Sequence, residues 1–366
     1  MRFREIAYMA WAKAKPKAEI DLARSGIEAC PASLLRVTPK DLVTQVPAGY
    51  GWPPLLAALA ARYGVAADRV FTVAGGTSLA NFLACAAVLD GARRGDEVIV
   101  ERPTYEPLLR IPESLGCRIV RLPRRFEEAW AIDLDRFASL VNARTRLAIV
   151  TNLHNPTGMR IDLATLRKMA RILGRVGAHL LVDEVYFECL FARRAASSVH
   201  AGANVVTTNS LTKAYGLDGL RAGWILGPRE LIRRAGKIHD LLGVNGVAPG
   251  EVMFLAALKR LGAVSGRAHA MLDPNLETVR RFLETEPRLE AHVPPGGNVL
   301  FARLPNGLDG DRFAAHLRDR YSTLVVPGSF FESPRFIRVS FGVSPALLVR
   351  GLGNISRSLD ELQPST

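Results

Sequence analysis

From residue 70 to residue 208 the chain repeats one pattern: a short apolar run, a turn, a stretch of helical spacing, then another apolar run. The runs fall at 70–73, 97–100, 118–122, 147–151, 180–183 and 205–208, and helical spacing holds over 79–89 and 163–173. Runs this short and apolar, set between turn residues, predict strands covered on both faces. Strands that alternate with helices pair in parallel, because a crossover helix returns the chain to the same end of the sheet. The fold class expected is α/β, with a mostly parallel central sheet flanked by helices.

The flanking regions read differently. Residues 19–22 predict a short strand and Arg24-Ser25-Gly26-Ile27 a turn, within an N-terminal arm over 1–40. A Pro/Gly/aromatic loop covers 46–54, and an alanine-rich helix follows over 55–63, with Pro54 suited to its first turn. Beyond Gly227 the texture changes to helices over 229–242, 250–261, 276–284 and 347–362. Two runs there, 298–302 and 336–340, alternate like half-exposed strands. The domain division expected is an arm over 1–40 that joins the small domain, a large domain over 41–245 and a small α+β domain over 246–366.

Charge narrows the partners. The 366 residues carry 48 Lys and Arg against 35 Asp and Glu, a net charge of +13. The basic residues are scattered, and even the pairs Arg93-Arg94, Arg124-Arg125, Arg193-Arg194 and Arg233-Arg234 build no long basic block. That distribution is a solvated, arginine-rich surface rather than a nucleic-acid footprint. No apolar run is long enough for a membrane span, and charged Met1-Arg2-Phe3-Arg4-Glu5 precedes no apolar signal region. Cys30, Cys85, Cys117 and Cys189 form no CxxC pair, which suits reduced thiols. The expected location is the cytoplasm, with no membrane and no nucleic-acid partner, and no metal-ligand pattern is present.

Ligands of open α/β sheets bind beyond the carboxyl ends of the strands, and the unusual residues of this chain gather there. Gly75-Gly76-Thr77 ends one run and opens a helix, so free N–H groups and a positive helix terminus face one spot, suited to phosphate. Asn155 follows another run within Asn-Pro-Thr-Gly, a sequence that is also an ordinary turn. Asp183 ends Leu-Leu-Val-Asp, where an acid serves either a cationic ligand or a helix cap, and Tyr186 shares its surroundings. Tyr105 lies in a loop after a run. The stretch 209–224 holds Lys213 between Ser210, Thr212 and a glycine-spaced Arg221. A lysine amine forms Schiff bases with carbonyl cofactors. Hydroxyls, backbone N–H groups and a guanidinium fork hold phosphate. Taken singly, a lysine in a turn is an ordinary solvated side chain.

Taken in order, Asn155-Pro156-Thr157-Gly158, Asp183-Glu184-Val185-Tyr186 and Ser210-Leu211-Thr212-Lys213, followed by Gly219-Leu220-Arg221-Ala222-Gly223-Trp224, resemble the class I/II aminotransferases. These are enzymes of pyridoxal-phosphate fold type I. The resemblance runs from about Asp21 to the C-terminal helix. It implies pyridoxal 5'-phosphate as cofactor, α-amino acid and 2-oxo acid substrates, and a homodimer with sites at the interface. Lys213 matches the internal-aldimine lysine and the base of the proton shift. Asp183 matches the partner of the pyridine nitrogen, Tyr186 and Asn155 the partners of the ring oxygen, and Tyr105 the ring-stacking aromatic. Gly76, Thr77, Ser210, Thr212 and Arg221 match the phosphate site. Arg338, within Phe-Ile-Arg-Val-Ser-Phe, matches the arginine that grips the substrate's α-carboxylate. Gly26 sits where the family's arm meets substrate through its backbone.

Tyr50 corresponds to the tyrosine that reaches the neighbouring subunit's phosphate, but Trp52-Pro53-Pro54 replaces the glycine and Leu-Arg that usually follow it. His154 is read as packing. No second arginine is placed for a side-chain carboxylate. Alongside transamination stand elimination, cyclisation or oxidation of an amino acid on the same scaffold, and a non-enzymatic aminotransferase-like sensor.

Overall fold

The computed structural model describes residues 4–45, 49–190 and 196–362. Residues 46–48 of the Pro/Gly loop, Arg193-Arg194 and the first three residues of the N-terminal stretch therefore lie outside the described residues. In chain order the strands are β1 Ile20–Asp21, β2 Val70–Val73, β3 Glu97–Arg102, β4 Arg118–Pro123, β5 Thr145–Thr151, β6 His179–Asp183, β7 Val205–Ser210 and β8 Gly223–Leu226. They continue with β9 Val299–Arg303, β10 Thr323–Leu324, β11 Val326–Pro327 and β12 Phe336–Ser340. The helices begin with α1 Ala7–Ala14, α2 Pro53–Tyr63, α3 Gly76–Val88, α4 Glu106–Ser114, α5 Leu134–Leu140 and α6 Leu163–Gly174. They end with α7 Arg229–His239, α8 Ala248–Lys259, α9 Leu261–Thr285, α10 Gly310–Tyr321 and α11 Pro345–Leu362.

The central sheet has seven strands in the order β2-β8-β7-β6-β5-β3-β4. The sequence expectation of a mostly parallel sheet holds, with one exception: β8 runs antiparallel to both neighbours, Val70 facing Leu226 and Ser210 facing Gly223. β8 was not among the predicted strands: its first two residues, Gly223 and Trp224, lie in the glycine-spaced stretch 209–224 read for Lys213. Consecutive residues of the inner strands feed opposite cores. Val98 and Val100 join a cluster with Ala84 of α3 and Ala235 of α7, while Ile99 joins Leu166, Met169 and Leu173 of α6. Those α6 residues recur at helical spacing, and Asp162 caps the helix by accepting from Thr165 N at 2.7 Å. Removing any one of the fully buried leucines would cost about 2–5 kcal/mol.

β11, β12 and β9 form a second, antiparallel sheet, and β1 of the arm pairs in parallel with β10, Ile20 facing Thr323. The expectation that β9 and β12 are half-exposed is corrected: both are buried nearly throughout. Leu300, Ala302, Ile337 and Val339 face the helical core, and Phe301 and Phe336 pack with Trp130 and Val326 on the other side. The helix predicted over 276–284 is the second half of the 25-residue α9. α3 begins at Gly76, three residues earlier than its apolar spacing. The arm also carries α1, which the sequence reading did not place.

Candidate active site

A cavity of about 210 Å³ opens beyond the carboxyl ends of β5, β6 and β7. Its wall brings together Thr77, Tyr105, Asn155, Asp183, Tyr186, Thr212, Lys213 and Arg221, eight of the residues singled out from sequence, drawn from segments far apart in the chain. Four more stand just behind it. Ser210 is bonded to Thr77, Gly76 opens α3, Gly26 packs against the Lys213 side chain, and Arg338 is bonded to Asn155. Tyr50 is not brought there within the chain: it is 57% exposed, and its hydroxyl donates to Asp240 at 2.8 Å.

At one end of the cavity the donors suit a phosphate. α3 has no side-chain cap, so the first-turn N–H groups beyond Gly76 are left to a ligand. Thr77 Oγ1 donates to Ser210 Oγ at 2.7 Å, and Ser210 Oγ lies 2.6 Å from Thr212 Oγ1. Arg221 Nη2 donates to Gly75 O and Gly76 N donates to Arg221 O, each at 2.8 Å, which draws the guanidinium up to the helix start. Gly76 has φ +64°, and a Cβ on Gly223 would sit 2.6 Å from the Gly76 carbonyl carbon. Only glycines let β8 press this closely on the cradle.

In the middle stand an acid and an amine. Asp183, 3% exposed, accepts from Asn81 Nδ2 at 2.8 Å and from Val185 N at 3.0 Å. Burial pushes its carboxyl up to about 6, against the pull of those two donors and of Lys213. The Lys213 amine donates to Ser25 Oγ. Burial first and then the nearby Arg338 cation, with Arg221, bring the amine down to about 8, against the opposing pull of Asp218 and Asp183. Burial likewise raises the Tyr105 and Tyr186 hydroxyls, keeping both as neutral donors. The Tyr186 hydroxyl donates to Ser25 O at 2.7 Å.

At the far end Arg338 is fully buried. Its Nη1 donates to Asn155 Oδ1 at 3.1 Å, and its Nη2 donates to Tyr8 OH at 3.1 Å and to Ala23 O at 3.3 Å. Among the described residues it has no carboxylate partner, and its buried Nε has no hydrogen bond. A cation buried without a counter-ion is costly, so this one suits a carboxylate supplied from outside. A cradle of phosphate-type donors, a buried acid, a buried amine and an unpaired guanidinium in one place fit the groups of pyridoxal phosphate and an amino acid.

Sequence reasoning missed Tyr8, Ser25 and Asn81. Tyr8 comes from α1, and its ring meets that of Tyr105 edge-on, with centroids 5.7 Å apart. Asn81 lies on the buried face of α3 among Ala80, Leu83 and Ala84, where one amide among small apolar residues was a readable signal. Ser25 had none. His154 packs as expected, fully buried between Thr157 Oγ1 at 2.7 Å and Pro103 O at 3.0 Å.

A family model described as aminotransferase class I and II matches residues 28–355. Capreomycidine synthase of Streptomyces vinaceus is 30% identical over 315 residues, covering 83% of this chain and 78% of that protein. An aromatic amino acid aminotransferase of Rhodococcus jostii is 32% identical over 270 residues, covering 72% and 70%. The crystal structure of a PLP-dependent aminotransferase from Streptococcus suis superposes with a TM-score of 0.91 at 24% identity, over all of both chains.

Proposed function

The chain belongs to the class I and II aminotransferase family, and from that premise we propose which of its residues carry the reaction. It is a pyridoxal-phosphate-dependent aminotransferase, which passes the amino group of an α-amino acid to a 2-oxo acid. The bound cofactor supplies the aldehyde that receives the amino group and a protonated ring that draws electrons from the substrate's α-carbon.

In this reading Lys213 anchors the cofactor through its amine. Once released, that amine would take the α-proton on its lone pair and give it back on the far side of the substrate nitrogen, returning to the neutral amine. Asp183, oriented by Asn81, keeps the ring nitrogen protonated. Asn155 would bond the ring oxygen through its amide nitrogen, Tyr186 would join it by turning its hydroxyl from Ser25 O, and Tyr105 would pack against the ring. Gly76, Thr77, Ser210, Thr212 and Arg221 hold the phosphate. Arg338, steadied by Asn155, takes the α-carboxylate, and the Gly26 backbone borders the substrate. The observation that carries the reading is the buried Arg338, charged and without a carboxylate of its own among the described residues.

The arginines of the site are then both committed, Arg221 to phosphate and Arg338 to carboxylate. The remaining wall includes Tyr8, Met9, Ala12, Val185 and the Asp218 carboxylate, which favours a substrate side chain without negative charge. Homodimerisation belongs to the same proposal. Tyr50, Leu241, Leu242, Val244 and Val247 are all more than half exposed, and Tyr50, Val244 and Val247 rim a second cavity of about 310 Å³ that shares Arg221 with the first. A partner covering this surface would bring its Tyr50 toward the phosphate. We further take 41–245 as the cofactor-holding domain and 246–366 with the 1–40 arm as the closing one, supported by the β1–β10 pairing. Residence in the cytoplasm is supported by four free, buried thiols.

The test is spectroscopic. Protein mixed with pyridoxal phosphate should gain a visible band that Lys213→Ala lacks. A donor amino acid, added without oxo acid, should bleach the band and release one equivalent of oxo acid; absence of any band sinks the assignment. A second reading, cyclisation or elimination on the same scaffold, is favoured by the likeness to a synthase rather than a transaminase. Under it the band returns as product accumulates, and no oxo acid matches the bleaching.

A further inference from the structure

The assignment of Lys213 leaves one contact at its nitrogen without a role. Ser25 Oγ accepts from the Lys213 amine. The serine is tightly placed. Its carbonyl accepts from Tyr186 OH at 2.7 Å and from Asn298 Nδ2 at 3.3 Å. The next residues are stitched to the lysine loop, Ile27 N to Lys213 O at 3.3 Å and Cys30 N to Gly216 O at 2.8 Å. A Cβ on Gly26 would touch Lys213 Cα and Cδ at 3.6 Å, so the arm lies directly on the lysine stem. The charged groups around this nitrogen come from elsewhere: Asp183 from β6, Arg338 from β12, and Asp218 and Arg221 from the loop after Lys213. Ser25 is the neutral one that touches it.

We propose that Ser25 is a positioning residue whose hydroxyl holds the Lys213 amine while that amine is free of the cofactor, fixing the nitrogen for proton transfer at the substrate's α-carbon. The inference rests on Lys213 being the cofactor lysine. A neutral amine has one lone pair and two N–H bonds. Donating one N–H to Ser25 restricts rotation about the last bond of the side chain and leaves the lone pair to accept the α-proton. The amine becomes an ammonium and returns to neutral when it gives that proton back, with Ser25 accepting an N–H throughout. A carboxylate at the same place would hold the ammonium far more tightly than a hydroxyl does.

The test uses full-length wild type, Ser25→Ala and Ser25→Thr, and has two parts. In the first, cofactor-free protein is mixed with pyridoxal phosphate across pH 6–9, and the rate of band appearance is followed. Loss of an acceptor disfavours the ammonium, so Ser25→Ala should capture the cofactor faster than wild type at neutral pH, by up to about tenfold, the limit set by one hydrogen bond. In the second, turnover is measured with α-protiated and α-deuterated donor. Ser25→Ala should lose about tenfold in kcat, keep KM within about twofold, and show a larger isotope effect, whereas Ser25→Thr should restore all three. Faster capture together with slower turnover is not what a loosened fold produces. Unchanged capture and kcat in Ser25→Ala overturn the proposal, and so does a kcat loss that Ser25→Thr does not restore. Failure of wild type itself to capture the cofactor would overturn the Lys213 assignment instead.

Discussion

At the scale of single residues, the site depends on groups whose surroundings set their charge. Lys213 is lowered by burial first and by Arg338 next. At neutral pH most of it is still protonated, and the neutral fraction grows about tenfold per unit up to about 8. Cofactor capture by the cofactor-free protein should therefore rise with the same slope from pH 6 and level off above about 8; stopped-flow absorbance checks it, and a flat profile contradicts a buried amine. Arg338 makes a different prediction. Its fork serves Asn155 and Tyr8 at once, each at 3.1 Å, and a lysine cannot reproduce two parallel donors. Arg338→Lys should raise KM for the amino acid by about 10–100-fold, worth one to two charge-assisted hydrogen bonds, and leave the cofactor's visible band intact. Lys213, Asp183 and Arg338 were legible in the sequence because the resemblance fixed each by position. Ser25 and Tyr8 were not, since a serine in a turn and a tyrosine in an alanine-rich arm have no pattern until the chain folds over the site.

Between elements, the informative contacts are those that hold a site-bearing loop. The Glu188 carboxylate accepts from Tyr63 OH at 2.7 Å, from Tyr215 OH at 2.6 Å and from Arg62 Nη2. It ties α2 to the loop after Lys213 and to the segment after Tyr186. Tyr215→Phe deletes one hydroxyl and keeps the ring, so it should cost about 1–2 kcal/mol, as a shift in the denaturation midpoint. The β8–α3 contact is stiffer. Gly223→Ala puts a methyl 2.6 Å from the Gly76 carbonyl carbon, and the start of α3 must retreat. We expect cofactor affinity, measured by equilibrium dialysis, to fall at least tenfold, with a smaller loss of stability. β8 itself was hidden in the sequence because it opens inside the glycine-spaced stretch 209–224, whereas β2 to β7 announced themselves. A short apolar run set between turn residues marks a strand.

For the whole molecule, the exposed apolar surface is the feature to test. Leu241 is 84% exposed and Val244 64%, on a stretch that adjoins the cavity sharing Arg221. A paired change, Leu241→Asp with Val244→Asp, should convert a dimer to a monomer by light scattering. It should also weaken cofactor retention, because the partner's Tyr50 is lost with it. A wild-type monomer would refute the dimer outright.

What the sequence determined by itself was the alternation of strands and helices, the parallel sheet and the identity of the residues at its carboxyl edge. Those follow from local burial and from residue order, and both are written along the chain. The tertiary structure alone decided that α1 and the turn at Ser25 lie over the site, that β9 and β12 are covered on both faces, and that the Lys213 amine meets a hydroxyl. These contacts join residues far apart in sequence. They depend on how sheets and arm pack in three dimensions, and periodicity carries no record of that.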